Sequence, residues 1–153
     1  MTGFIMDSTQ RRALDDVRAA AAGRPPDALL RAARALQALP RYTGVYLYAL
    51  EGDALVLRAH AGRDTEHVRI PIGQGICGLS ARTKQAVVVD DVGSDPRYLA
   101  CNLETQSEIV VPIMRGERYL AQIDVDSDHL AAFGPADRAF LAEVAVHLEP
   151  LFE

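Results

Sequence analysis

The chain has 153 residues, 49% hydrophobic and 24% charged, enough for one packed domain and too apolar for a disordered one. Its formal net charge of −5 excludes the clustered basic footprint of a nucleic-acid binder. No apolar run reaches the roughly 20 residues of a membrane span. The opening Met1-Thr2-Gly3-Phe4-Ile5-Met6 has no basic start and meets Asp7 at once, unlike a signal peptide. Two cysteines suit a reducing compartment better than a disulfide framework, so a cytoplasmic protein is expected.

In chain order, Ser8 is placed to cap a first helix over residues 9–22, stopped by Gly23. Pro25-Pro26 makes a stiff joint, and Asp27 sits in the opening turn of a second helix, where its charge suits the helix dipole. Leu29, Ala33 and Leu36 give that helix an apolar stripe, and Pro40 ends it. Both helices carry arginines, from Arg11 to Arg34, which solvated faces explain. Val45–Leu50 and Ala54–Ala59 flank Glu51-Gly52-Asp53 as a hairpin, and His67–Ile72 alternates as a third strand. Gly73-Gln74-Gly75 breaks that pattern ahead of a helix over residues 76–83, and Val87–Val89 is a short strand. Residues 90–107 form a long connection with a helical turn expected at Asp95-Pro96, and connections of this length tend to be functional. Ile109–Met114 pairs with Tyr119–Val125 across Arg115-Gly116-Glu117. A last helix over residues 136–152 buries Phe140, Val144, His147, Leu148 and Leu151, with Pro150 placed to end it a turn early. The order predicts an α+β fold: an antiparallel sheet of about six strands with N- and C-terminal helices packed on it.

The chemistry concentrates late in the chain. Cys101 lies in the long connection shortly before Glu108, which opens a strand, and Asp124 and Asp126 sit two apart on the next strand, hence on one face. Paired as a hairpin, these strands bring Glu108, Asp124 and Asp126 together beside the Cys101 sulfur. Three crowded carboxyls cannot all ionise cheaply, so at least one should hold a proton at neutral pH and act as a general acid. Cys77, the other cysteine, is either a small buried hydrophobe on its helix or a second thiol for chemistry. His67, Cys77 and Cys101 with an aspartate have the ligand types of a zinc site but no paired spacing, and no resident metal is expected. Tyr42, Tyr46 and Tyr48 share a strand face at even spacing, which core packing and a substrate cage explain equally well.

The element order, with Ile-Pro-Ile-Gly-Gln-Gly-Ile-Cys-Gly at 70–78 and Ser-Glu-Ile-Val-Val-Pro-Ile at 107–113, resembles a GAF domain over residues 27–152. That divides the chain into an N-terminal helical extension, 1–26, and a GAF domain, 27–153. Ala100-Cys101 before Ser107-Glu108, the Gly75-Ile76-Cys77-Gly78 turn and Asp124-Val125-Asp126-Ser127 resemble the free methionine-(R)-sulfoxide reductases. The resemblance implies Cys101 as nucleophile, Cys77 as its disulfide partner, and thioredoxin as external reductant, with no cofactor. It also implies Tyr42, where these enzymes tend to carry tryptophan, as a wall of the substrate methyl pocket. His67 stands where they usually carry a third cysteine, and with Tyr46 it joins the expected pocket. The alternative is a non-catalytic GAF module that binds a small molecule or senses oxidants through its thiols. The amphipathic N-terminal helices are expected to pair two chains as a homodimer.

Overall fold

The computed structural model describes residues 5–98 and 104–152; the expected nucleophile, Cys101, lies outside them. The sheet is built on two hairpins, β1 (Gly44–Glu51) with β2 (Ala54–Ala61) and β5 (Ser107–Arg115) with β6 (Arg118–Ser127). Short edge strands β3 (Arg69–Pro71) and β4 (Val87–Val89) extend it to six, in the order β3-β2-β1-β6-β5-β4 with every pairing antiparallel. The expected α+β architecture is the one observed.

Alternation, interrupted by a bulge near Leu120, divides the inner strands between two environments. Val45, Leu47 and Ala49, with Ile109, Val111, Ile113, Ile123 and Val125, face α1 (Ser8–Ala21), α2 (Ala28–Gln37) and α4 (Pro135–Leu148) in the larger core. The intervening residues face α3 (Gly75–Thr83), where Tyr46, Tyr48, Leu55, Ile70, Ile76, Cys77 and Val110 form a smaller core. The helix side is almost wholly apolar, whereas the α3 side holds Gln122, Asp124, Asp126 and Glu108, all buried.

Several local details differ from the sequence expectation. Asp7, not Ser8, caps α1: its carboxylate accepts the Gln10 N–H at 2.8 Å while the Gln10 side chain accepts the Asp7 N–H at 3.1 Å. That reciprocal box outcompetes a lone serine hydroxyl. The third strand is only three residues, and His67 precedes it in the loop, because the Val68 N–H turns back to the Glu66 carbonyl. The expected turn does start at Asp95-Pro96, where the Tyr98 N–H reaches the Asp95 carbonyl at 3.2 Å, but it follows a 3-10 turn not expected at Val92–Ser94, where the Asp91 side chain accepts the Gly93 N–H at 3.1 Å. His147 sits at the edge of the α4 stripe, 3.5 Å from Glu143, and is not in the core; Phe140, Val144 and Leu148 are. Pro150 falls in a 3-10 turn that follows α4, as its missing N–H requires. No helix among the described residues is long and apolar enough to cross a membrane.

Candidate functional site

Register places the acids. Glu108 lies directly opposite Asp126 across the β5–β6 pair, and Val110 opposite Asp124, so all three carboxyls project from one sheet face toward α3. On the other side of β6, Asp124 pairs with Tyr46 and Asp126 with Gly44 of β1. Gly44 carries no side chain because a Cβ there would lie 2.8 Å from the Tyr46 hydroxyl oxygen. The Tyr46 ring folds over this position, stacks on His60 with centroids 5.8 Å apart, and donates its hydroxyl to the Arg63 carbonyl at 2.7 Å.

Helix α3 closes the face from above. Its first turn brings the Cys77 thiol to 3.3 Å from Asp124 Oδ2, to which it donates. Behind Cys77 a polar chain fixes the helix to the sheet. The Gln122 side-chain amide donates to the Cys77 carbonyl at 3.1 Å and to the Tyr119 hydroxyl oxygen at 3.0 Å. Ser80 Oγ lies 3.0 Å from the Tyr119 hydroxyl and donates to the Gln85 carbonyl at 2.7 Å. Since both ends are fixed, Tyr119 must be the donor to Ser80, and every hydroxyl hydrogen has one place to go.

Burial governs the protonation of the cluster. Glu108, Asp124, Asp126 and Cys77 are each no more than 5% exposed. Desolvation, then the charges of Asp124 and Asp126, push the Glu108 carboxyl well above its usual range. Burial and then the charge of Asp124 raise Asp126 well above its usual range, although Glu108 donates to it. Asp124 is also raised by burial, and hydrogen bonds from Glu108 and Cys77 offset part of the effect. The Cys77 thiol is pushed well above its normal value by burial and then by Asp124 and Glu108, so it stays protonated. Tyr48, Ile70, Gly75, Ile76, Cys77, Glu108 and Asp124 line an enclosed cavity of about 10 Å³, room for about one water.

The structure therefore brings Cys77, Glu108, Asp124 and Asp126 together. Tyr46 shares their sheet face but does not line the cavity. His67 is half-buried in the loop before β3, and its main-chain carbonyl accepts the Tyr48 hydroxyl at 2.7 Å. Tyr42 is not in the group. It precedes β1, so the even spacing with Tyr46 does not carry it to the same face. It lies in the helix-side core, edge-on to Phe133 with its hydroxyl 2.8 Å from Asp137. Sequence reasoning did not find Gln122, Tyr119, Ser80, Ile70 or Ile76. Gln122 alone had a legible signal, as the residue two before Asp124 on the same strand face.

A family model described as GAF domain matches residues 26–149. The chain belongs to the GAF domain family. Within that family, it is similar to the free methionine-R-sulfoxide reductase of Saccharomyces cerevisiae, with 37% identity over 106 residues that cover 68% of this chain and 58% of the yeast protein. The Escherichia coli enzyme of the same name is 33% identical over 67% of this chain and 61% of its own length. The chain thus spans less than two thirds of the length of these two relatives. Among solved structures, the free methionine-R-sulfoxide reductase from Neisseria meningitidis in complex with its substrate superposes with a TM-score of 0.86 at 32% identity, covering 99% of this chain and 94% of that one. The type II enzyme from Thermoplasma acidophilum gives 0.79 at 37% identity, covering 91% and 94%.

Proposed function

We propose that this GAF domain reduces free methionine-(R)-sulfoxide to methionine, with Cys101 as the oxygen-accepting thiol and the buried carboxyl cluster as acid and substrate anchor. The observation that carries the reading is the convergence of Glu108, Asp124 and Asp126 on one buried sheet face, with Glu108 and Asp124 lining a small cavity next to Cys77. Such a cluster is expensive for folding and useful for catalysis, because it stores a proton at neutral pH. The similarity to a reductase solved with its substrate, over nearly the whole of both chains, supports the same reading.

In the proposed cycle the Cys101 thiolate attacks the sulfoxide sulfur, and the oxygen takes its proton from Glu108. The net step converts thiol and sulfoxide into a cysteine sulfenic acid and methionine. Asp124, which lines the cavity and accepts from Cys77, holds the substrate ammonium. Cys77 remains a protonated donor to Asp124 through this step, since burial suppresses its thiolate. It then condenses with the sulfenic acid to give a disulfide and water, and an external dithiol such as thioredoxin reduces the bridge. An amino acid is far larger than the cavity described, so binding widens it. We extend the proposal to a homodimer paired through the N-terminal helices and to a division into a helical extension, 1–26, and the GAF domain proper, 27–153.

Single-turnover release of methionine from the free (R)-sulfoxide tests the assignment. Cys101→Ser should abolish it, whereas Cys77→Ser should spare the first turnover and stop thioredoxin-coupled recycling. Methionine release by Cys101→Ser at the parent rate would sink the nucleophile assignment. Tight sulfoxide binding by the parent chain with no turnover would favour the non-catalytic module.

A further inference from the structure

The same cluster carries the donor set of a metal site. Cys77 Sγ, a Glu108 carboxyl oxygen and an Asp124 carboxyl oxygen all lie within 4.8 Å of one another. Zinc–sulfur and zinc–oxygen bonds of about 2.3 and 2.1 Å at a tetrahedral angle put their donors roughly 3.6 Å apart. The observed Sγ to Oδ2 separation of 3.3 Å is close to that spacing. Grouped acids alone are common, but here a second observation points to an occupant. Asp124 Oδ1 is buried with no hydrogen-bond partner, and the buried Asp126 carboxyl has none outside the cluster, only the proton Glu108 can offer. Buried polar atoms left in that state are costly, and a bound group relieves the cost. Asp124 lines the enclosed cavity, whose size before any widening suits one small ion or one water. A thiol among the donors disfavours magnesium and calcium, which take oxygen in six-fold or higher coordination.

We propose that Cys77, Glu108 and Asp124 form a reversible site for a zinc-class cation, four-coordinate and thiophilic, with its remaining position filled by Asp126 or one water. On binding, the ion replaces the thiol proton and a carboxyl proton, which leave to solvent; nothing is oxidised or reduced. The ion is not a cofactor of the proposed reduction. It would sit where that reaction needs its acid and so act as a brake. This consequence rests on the reductase reading; the binding itself does not.

The test uses the full chain carrying Cys101→Ser, so that Cys77 is its one thiol. The protein is freed of metal with a chelator and titrated with Co²⁺, then with Zn²⁺. The expected result is a one-to-one complex with a thiolate-to-cobalt charge-transfer band and intense tetrahedral visible bands, both displaced by Zn²⁺. Adding Cys77→Ser should remove the charge-transfer band, and adding Asp124→Asn or Glu108→Gln should weaken binding by about tenfold or more. A weak octahedral spectrum with no thiolate band overturns the proposal. A measurement free of further variants guards against misfolding: saturating Zn²⁺ should raise the melting temperature of the Cys101→Ser chain, and no shift also overturns it. Neither readout uses turnover, so a failed cation site and a failed reductase reading are told apart.

Discussion

Gly78 offers a quantitative test of how closely α3 must approach the sheet. A Cβ at this position would lie 2.5 Å from the Ile72 carbonyl oxygen and 2.9 Å from its carbon. The obstacle is backbone and cannot swing aside. The Ile72 N–H is bound to the Asp53 carbonyl at 2.9 Å, and the Ile72 oxygen accepts the Arg82 guanidinium. Restoring ordinary contact near 3.4 Å therefore requires α3 to move by about 0.9 Å. Gly78→Ala gains about 1 kcal/mol of helix propensity and incurs about 1–3 kcal/mol of overpacking. The expected balance is a loss of about 1 kcal/mol, or roughly 2–4 °C in melting temperature for a chain of this size. Function should suffer far more. Cys77 is the adjacent residue, its 3.3 Å contact with Asp124 would be lost, and a displacement near 1 Å can cost about 100-fold in rate. Thermal melts and thioredoxin-coupled multiple turnover of the free (R)-sulfoxide, the readout that depends on Cys77, check both parts on the same preparation. Parental turnover together with an unchanged or raised melting temperature would refute the close-approach reasoning.

Glu108→Gln separates chemistry from stability. Because the folded chain raises this carboxyl, its contribution to stability is fully present below the unfolded pKa of about 4.3 and is lost as pH rises through the higher folded value. The amide cannot ionise, so melts across pH should show the variant gaining on the parent toward alkaline pH while its sulfoxide reduction falls sharply; a pH-independent stability difference would contradict this. Tyr42→Phe should cost about 1 kcal/mol by denaturant titration, through loss of the 2.8 Å bond to Asp137, and leave turnover unchanged. A changed KM for the sulfoxide would return Tyr42 to the pocket. Phe140→Ala, which empties the centre of the helix-side core, should cost about 3–5 kcal/mol; a loss below about 1 kcal/mol would mean that α4 is not held by this side chain.

The parts legible in the sequence were those governed by short periods. Alternation in β1, β5 and β6 disclosed the hairpins, and the two-residue spacing of Asp124 and Asp126, once paired with the strand beginning near Glu108, disclosed the acid cluster. What the sequence could not show depends on long-range closure. The seating of Cys77 on Asp124 is set by where α3 lands on the sheet, which the Gly78–Ile72 approach and the Gln122–Tyr119–Ser80 chain decide together. Tyr42 was misplaced because a strand's periodicity was extended two residues past its start at Gly44, into a turn where it no longer holds. His67 was similarly assigned to a strand that begins only at Arg69.

The alternation along β6 has a consequence for how this protein can change. Ala121, Ile123 and Val125 serve the helix-side core, while Gln122, Asp124 and Asp126 serve the polar face under α3, where Asp124 lines the cavity. Two messages are interleaved letter by letter in one segment. A substitution edits one and spares the other, so the chemistry of the cavity can drift while the architecture stays fixed. Adding or deleting a single residue there would exchange them, driving three acids or amides into the apolar layer and three aliphatics toward the cavity. Variation in this strand is thus confined to replacement at constant length, and new specificities must be written in every second position.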